Sequence, residues 1–126
     1  NAVYHYNRGF ILDQKGEDET LAVASYDKAI ALDPQYFDAY YNVGAMYFNT
    51  GANKIKERNN LPLNAAAEAK KLEQDSKTYF ENALPYLEKA HEINPTDKGT
   101  MLSLKEIYAR QNKTEKLKAI QDKLTN

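Results

Sequence analysis

The chain has 126 residues, the size of one small domain that could bury about two-thirds of its unfolded surface. Its 17 basic and 18 acidic side chains give a net charge of −1, which excludes the strongly basic surface of a nucleic-acid-binding protein. It has no cysteine and no apolar run of about 20 residues, which excludes disulfides, thiolate chemistry and a membrane span. Because the chain begins at Asn1, we expect that it is processed or trimmed, and the sequence leaves its localisation unknown.

Apolar side chains recur at intervals of three and four residues, which predicts helices along the whole chain. The spacing is clear over 21–30 and again over 40–47. No segment alternates apolar and polar residues with a period of two, and no Asn-Gly or Asp-Gly hairpin turn is present. Helices should end just before Pro34 and Pro95, because a residue that precedes proline is disfavoured in helical geometry.

The two segments that end at these prolines repeat one another. Residues 29–34 read AIALDP and residues 90–95 read AHEINP. Upstream, residues 7–9 read NRG and residues 42–44 read NVG, and each of these glycines is followed seven residues later by another glycine. An internal repeat of this kind is the signature of an architecture built by stacking one unit.

The repeat resembles the tetratricopeptide repeat, a helix-turn-helix unit of 34 residues. The residues at the motif's characteristic positions are His5, Arg8, Gly9, Leu12, Ala22, Tyr26, Ala29 and Pro34 in the first unit, Tyr40, Val43, Gly44, Tyr47, Ala83, Leu87, Ala90 and Pro95 in the second, and Met101, Leu104, Lys105, Tyr108, Leu117, Gln121 and Leu124 in the third. Arg8, Lys105 and Leu117 depart from the usual residue types. The resemblance implies an all-α solenoid of about three repeats and six helices.

The lengths of the units place an insertion in the second repeat. Repeat 1 covers 2–36, repeat 2 covers 37–97 and repeat 3 covers 98–126. Repeat 2 has 61 residues, 27 more than the 34-residue motif, and the excess at about 52–78 lies between its two helices. The excess has a helical composition, so we predict an elongated helical hairpin in repeat 2.

Two details of this hairpin follow from its turn-forming residues. Residues 59–62 predict the turn, with Asn64 as the N-cap of the second helix. Gly51 falls within the first helix, where glycine costs about 1 kcal/mol relative to alanine, so a loop at 49–53 is the alternative. Pro85 should kink the second helix because it removes a backbone donor.

The resemblance implies a concave groove that binds a peptide or a segment of a partner protein. The positions that would line it combine aromatic rings, which supply contact area, with amides, which pair with a peptide backbone. They are Tyr6, Asn7, Phe10, Asp38, Tyr41, Asn42, Ala45, Phe48, Asn49, Leu102, Ser103 and Glu106. The alternative is that Tyr6, Tyr41 and Phe48 only pack against neighbouring helices. The basic cluster that grips a carboxyl terminus in some members is not matched, because Gly99 and Ser103 occupy two of its positions.

Other functional classes find no candidate residues in the sequence. The histidines, His5 and His91, stand in different repeats without metal-ligand spacing, and we expect structural or surface roles for them. The acidic segment 13–19 lacks the alternating ligands of a calcium loop and is interpreted as a solvated helix start. No catalytic constellation or phosphate loop is present, so we predict a non-enzymatic protein without a cofactor.

The sequence therefore predicts a scaffold or adaptor that binds a protein or peptide, with no nucleic acid among its partners. A structural alternative is self-association of the chain through the hairpin arm at 52–78. The insert and residues 84–90 look like those of bacterial tetratricopeptide repeat proteins, many of which are exported, and three repeats suggest part of a larger array.

Overall fold

The computed structural model describes residues 1–126, which form six helices and no strand. The helices are α1 (Ala2–Lys15), α2 (Glu19–Leu32), α3 (Phe37–Asn59), α4 (Ala66–Ile93), α5 (Lys98–Arg110) and α6 (Thr114–Thr125). The predicted all-α architecture of helix pairs is confirmed. None of the helices combines the length and the apolar composition that a membrane span needs.

The helix ends follow local chemistry. Helix α1 is capped at its C-terminus by Gly16, whose φ of 67° is the left-handed conformation that glycine adopts readily. The side chains of Asp18 and Asp97 cap α2 and α5 by accepting backbone N–H bonds. Helices α2 and α4 end ahead of Pro34 and Pro95, as predicted.

The helices are arranged as three pairs that contact one another in chain order. Helices α1 and α2, α3 and α4, and α5 and α6 pack together within the pairs, and α2 packs on α3 as α4 packs on α5. The first helices of the pairs also meet, since α3 contacts both α1 and α5. Each pair therefore covers its apolar residues against the next pair, which is the packing of a helical repeat protein.

Helices α3 and α4 form the long hairpin, with 23 and 28 residues. At 1.5 Å per residue they are about 35 and 42 Å long. Gly51 is buried inside α3, so the alternative of a loop at 49–53 is wrong. A Cβ atom at this position would lie 3.1 Å from the Phe80 ring, so glycine here allows the two helices to approach closely.

Two further expectations for the hairpin have different outcomes. Asn64 is not the N-cap of α4, because this helix begins after Ala65, where no side chain caps the backbone. Within the turn, the backbone N–H of Ala65 instead donates to the carbonyl oxygen of Pro62, with an N···O distance of 3.1 Å. Pro85 is exposed and lies inside α4, which continues through it, so the kink at this residue stays a prediction.

Two groups of buried side chains form the core. The N-terminal cluster comprises Tyr26 and Ala29 of α2 with Ala39 and Val43 of α3. The C-terminal cluster is larger and joins α4, α5 and α6 through Phe80, Ala83, Leu84, Leu87, Met101, Leu104, Ile107, Tyr108 and Ile120. Tyr47 packs against both clusters and so links them through α3.

Candidate functional site

The residues predicted to line a groove lie on α1, α3 and α5, the first helices of the three pairs. Apart from the half-buried Ala45, we call them the first-helix surface: Tyr6, Asn7, Phe10, Asp38, Tyr41, Asn42, Phe48, Asn49, Leu102, Ser103 and Glu106. Because α3 contacts both neighbours, α1 and α5 flank it on its two sides. The structure brings some of these side chains into contact and leaves others free.

A hydrogen-bonded aromatic group joins α1 to α3. The Asn42 side-chain amide donates to the hydroxyl of Tyr6 at 2.9 Å and to that of Tyr26 at 3.4 Å. The Tyr26 hydroxyl in turn donates to Asp13 Oδ2 at 3.3 Å. The Tyr6 ring lies 6.4 Å from that of Phe10, centroid to centroid, in a stacked arrangement. The hydrogen bond from Asn42 thus holds Tyr6 in place, and the Tyr6 ring in turn holds the ring of Phe10.

Burial is the first cause of the pKa shifts within this group. Burial raises the pKa of Tyr6, and the carboxylate of Asp38 raises it further. Burial also raises the pKa of Tyr26, so both phenols remain protonated. Burial raises the pKa of Asp13 as well, although the hydrogen bond from Tyr26 opposes this shift.

All three aromatics named in the alternative interpretation, Tyr6, Tyr41 and Phe48, are half-buried and pack within the fold. The Tyr6 ring lies 5.1 Å from that of Tyr36. The Phe48 ring lies 5.4 Å from that of Phe80 and packs against the C-terminal cluster. Tyr41 stacks on Phe37 at 5.8 Å, and its hydroxyl lies 2.8 Å from where a Cβ atom on Gly99 would stand. Gly99 thus leaves room for the Tyr41 hydroxyl at the contact between α3 and α5.

The remaining members of the first-helix surface are accessible. Phe10 is 44% exposed and Leu102 is 56% exposed, which is high for large apolar side chains. Glu106 is exposed and pairs with Arg110 at 3.0 Å, while Ser103 is half-buried. Asn7, Asp38 and Asn49 are exposed polar residues without a side-chain hydrogen bond. These groups are free to meet a ligand.

A cavity of about 250 Å³ lies beside this surface, between the α1–α2 turn and α3. It is lined by Leu12, Asp13, Gly16, Glu19, Met46, Asn49, Thr50 and Asn53. Asp13 and Glu19 are half-buried and accept hydrogen bonds from Tyr26 and Thr50, so the solvated character predicted for residues 13–19 is wrong for these two. The sequence missed them because their partners are distant along the chain.

The histidines make local contacts. His91 Nε2 lies 3.0 Å from Lys123 Nζ, and burial, followed by the Lys123 charge, lowers the pKa of His91. The ring of His5 meets that of Tyr4 edge-on at 5.2 Å. No group of three or more His, Cys, Asp or Glu side chains is close enough to hold a metal ion.

Comparison with known families supports the class that the fold suggests. A family model described as a TPR repeat matches residues 17–51, which include α2 and the first part of α3. Residues 17–51 are thus similar to a tetratricopeptide repeat, and the six paired helices are consistent with the all-α solenoid that such repeats form. Such repeats generally mediate protein–protein interaction. Comparison with curated proteins gave no match.

Proposed function

We propose that this protein is a scaffold or adaptor that binds a segment of a partner protein along the first-helix surface. The observation that carries the proposal is the exposed ring of Phe10, held against Tyr6 while Asn42 fixes Tyr6 from α3. A rigid aromatic side chain next to free amides suits a peptide, because the ring supplies buried area and the amides pair with backbone groups.

The members of the surface divide into supporting and contacting residues. Asn42 and Phe48 bond or pack within the fold, so they position the surface. Asn7 and Leu102 lie on α1 and α5 without such partners, and Phe10 stacks on Tyr6 but remains 44% exposed, so these three would contact the ligand. Since α3 lies between α1 and α5, a segment that contacts all three residues has to cross α3.

The cavity beside Asn49 supplies a second element of recognition. Its lining includes the carboxylates of Asp13 and Glu19 and no basic side chain. A basic or amide side chain of the bound segment would complement it, because each of these half-buried carboxylates accepts one hydroxyl donor and has no cation beside it, so it gains from a further donor. We expect the bound segment to place such a residue near Phe10.

The test is a selection of displayed random peptides on the intact chain, followed by affinity measurements on the selected peptides. Phe10→Ser and Leu102→Ser should each weaken binding by about tenfold, because each removes a large apolar contact. Ile11→Ser is the matched control. It neighbours Phe10 and is similarly exposed at 55%, but it lies 100° around the helix. Equal loss in Phe10→Ser and Ile11→Ser, or no loss in either, would contradict the proposal.

The arm offers a second candidate, self-association, which one observation favours. Leu63 at the turn between α3 and α4 is fully exposed, next to the half-buried Leu61. Light scattering on the intact chain, on Leu63→Asp and on a chain without residues 53–78 tests this role. An oligomer that only the intact chain forms would support self-association, and a monomer in all three would exclude it.

A further inference from the structure

A second cavity, of about 410 Å³, lies between α4 and the turn that joins α5 to α6. We call it the α4–α5 cavity. It is lined by Lys77, Phe80, Glu81, Arg110, Gln111 and Lys113. Three of these side chains are cations and one is a carboxylate, so the lining carries a net formal charge of +2. None of them belongs to the first-helix surface, and the volume is large enough for a ligand of several non-hydrogen atoms.

Arg110 is held in place by two contacts within the fold. Its guanidinium carbon lies 5.3 Å from the centroid of the buried Phe80 ring, which is a cation–π contact. Its Nε and Nη2 atoms lie 3.2 and 3.0 Å from Glu106 Oε1. Because a guanidinium has five N–H donors, Nη1 remains available to a ligand. Arg110 can therefore bind an anion without losing much side-chain freedom on binding.

The other charged side chains of the cavity have no partner within the fold. Lys77 and Glu81 are exposed and lie one turn apart on α4, while Lys113 is half-buried. None of the ion pairs in the structure includes any of these three residues. The two lysines can thus pair with an anionic ligand, and the carboxylate of Glu81 opposes its binding.

Gln111 contributes an amide whose carbonyl oxygen lacks a donor. Oε1 of this residue is buried and has no hydrogen-bond partner in the fold, which is unfavourable for a polar atom. If the amide turns towards a ligand, it loses no hydrogen bond at this oxygen. A ligand with an N–H donor beside an anionic group would satisfy both Gln111 and the cations. An acidic residue of a polypeptide has this combination, since it carries a side-chain carboxylate and a backbone N–H.

We propose that the α4–α5 cavity binds an acidic segment of a partner polypeptide, with one carboxylate on Arg110 and another on the lysines. Two carboxylates would neutralise the net charge of the lining. The cations come from α4, from the end of α5 and from the following turn, and this spread suits a segment better than one small anion. The cavity beside Asn49 has acidic side chains and no basic one, so the two cavities would select segments of opposite charge.

The probe is a synthetic peptide of sequence GDEGDEG, titrated onto the intact chain and followed by NMR at the side-chain amide of Gln111. We expect a saturable shift of this signal, and no shift with the uncharged counterpart GNQGNQG. Arg110→Gln and Lys77→Gln should each weaken binding about fivefold, because each removes one ion pair with the peptide. Glu81→Gln should strengthen binding about twofold, because it removes the opposing charge.

Matched controls separate this site from the net charge and from the first-helix surface. Lys28→Gln removes an exposed cation on α2, which is the same change in net charge, and Phe10→Ser alters the first-helix surface. Both should bind the peptide like the parent chain. Circular dichroism should show the same helix content in all variants. Lys77→Gln keeps the test decisive if Arg110→Gln perturbs the fold, since Lys77 has no partner to lose.

Four results would overturn the proposal. The first is no saturable shift with GDEGDEG, and the second is a loss of affinity in Lys28→Gln equal to that in Lys77→Gln. The third is a shift with inorganic phosphate but none with the peptide, which would indicate a site for a small anion. The fourth is a dimer that Lys77→Gln dissociates, which would assign the cavity to an acidic surface of a second copy.

Discussion

The two clusters of the core solve the same packing problem with different chemistry. The C-terminal cluster is mainly aliphatic and contains leucine, isoleucine and methionine side chains from three helices. The N-terminal cluster has only four buried members, and its largest, Tyr26, bonds through its hydroxyl to Asp13 and Asn42. The first half of the fold thus relies more on hydrogen bonds between tyrosines and polar residues, and the second half on apolar volume.

This difference predicts where a cavity costs most. Leu104→Ala empties a fully buried position in the larger cluster and should lower the free energy of unfolding by about 3 kcal/mol. Val43→Ala, at the equivalent buried position of α3, removes less volume and should cost about 2 kcal/mol. Urea unfolding of the two variants checks the order, and a larger loss in Val43→Ala would break the comparison.

Close helix contact gives the next effect. A Cβ atom on Gly44 would lie 2.6 Å from Leu87 Cγ and Cδ2, so Gly44→Ala forces α3 and α4 apart. We expect a net loss of about 2 kcal/mol, although alanine itself favours the helix. Gly51→Ala is the control, because its nearest contact with Phe80 is longer, at 3.1 Å, and the change should stay within about 1 kcal/mol of the parent chain. Equal losses would contradict this account of the hairpin.

Removal of single hydroxyls tests the polar half of the comparison. Tyr26→Phe leaves half-buried Asp13 without its tyrosine donor and should cost about 1 kcal/mol in the free energy of unfolding. Tyr108→Phe removes a bond to Glu88 of 2.7 Å, but Lys116 still pairs with that carboxylate at 3.3 Å. It should therefore cost less. A larger effect of Tyr108→Phe in urea unfolding would show that the N-terminal cluster does not depend on its hydroxyl bonds.

The smallest expected effect is a pH dependence at the edge of the C-terminal repeat. Because the folded pKa of His91 lies below its unfolded value of about 6.5, the unfolded chain binds more protons at mildly acidic pH. Stability is therefore present above about pH 6.5 and is lost as the pH falls through the lowered folded pKa. His91→Gln should reduce this loss in urea midpoints measured from neutral to mildly acidic pH. An unchanged pH profile would exclude the contribution of His91.

Much of the fold was predictable because it depends on local signals. Pro34 and Pro95 mark the helix ends, and the small residues of the hairpin indicate close packing between its helices. The conformation of Gly51 was ambiguous in the sequence, because the free-energy cost of glycine in a helix is a local property. The contact that offsets this cost is made with Phe80, 29 residues further along the chain. Asn64 failed as a cap because α4 begins one residue later than predicted, at Ala66, which leaves Ala65 in the N-cap position.

The site was less predictable for the same physical reason. The repeat motif predicted which helices carry the site. It did not distinguish the residues that position the first-helix surface from those whose side chains have no partner within the fold. Asn42 bonds to Tyr6, 36 residues away, and the bond from Thr50 to Glu19 in the adjacent cavity spans 31 residues. Such pairs depend on how the helix pairs stack, which no local pattern specifies.

The most direct test of the central claim, that the first-helix surface binds a partner segment, is an NMR titration of the intact chain with a peptide selected on it. The side-chain amides of asparagine report on separate parts of the molecule. We predict that the signals of Asn7 and Asn49 shift on binding and that those of Asn60 and Asn64 in the turn of the arm stay unchanged. Shifts confined to Asn60 and Asn64 would contradict the account and place binding at the end of the arm.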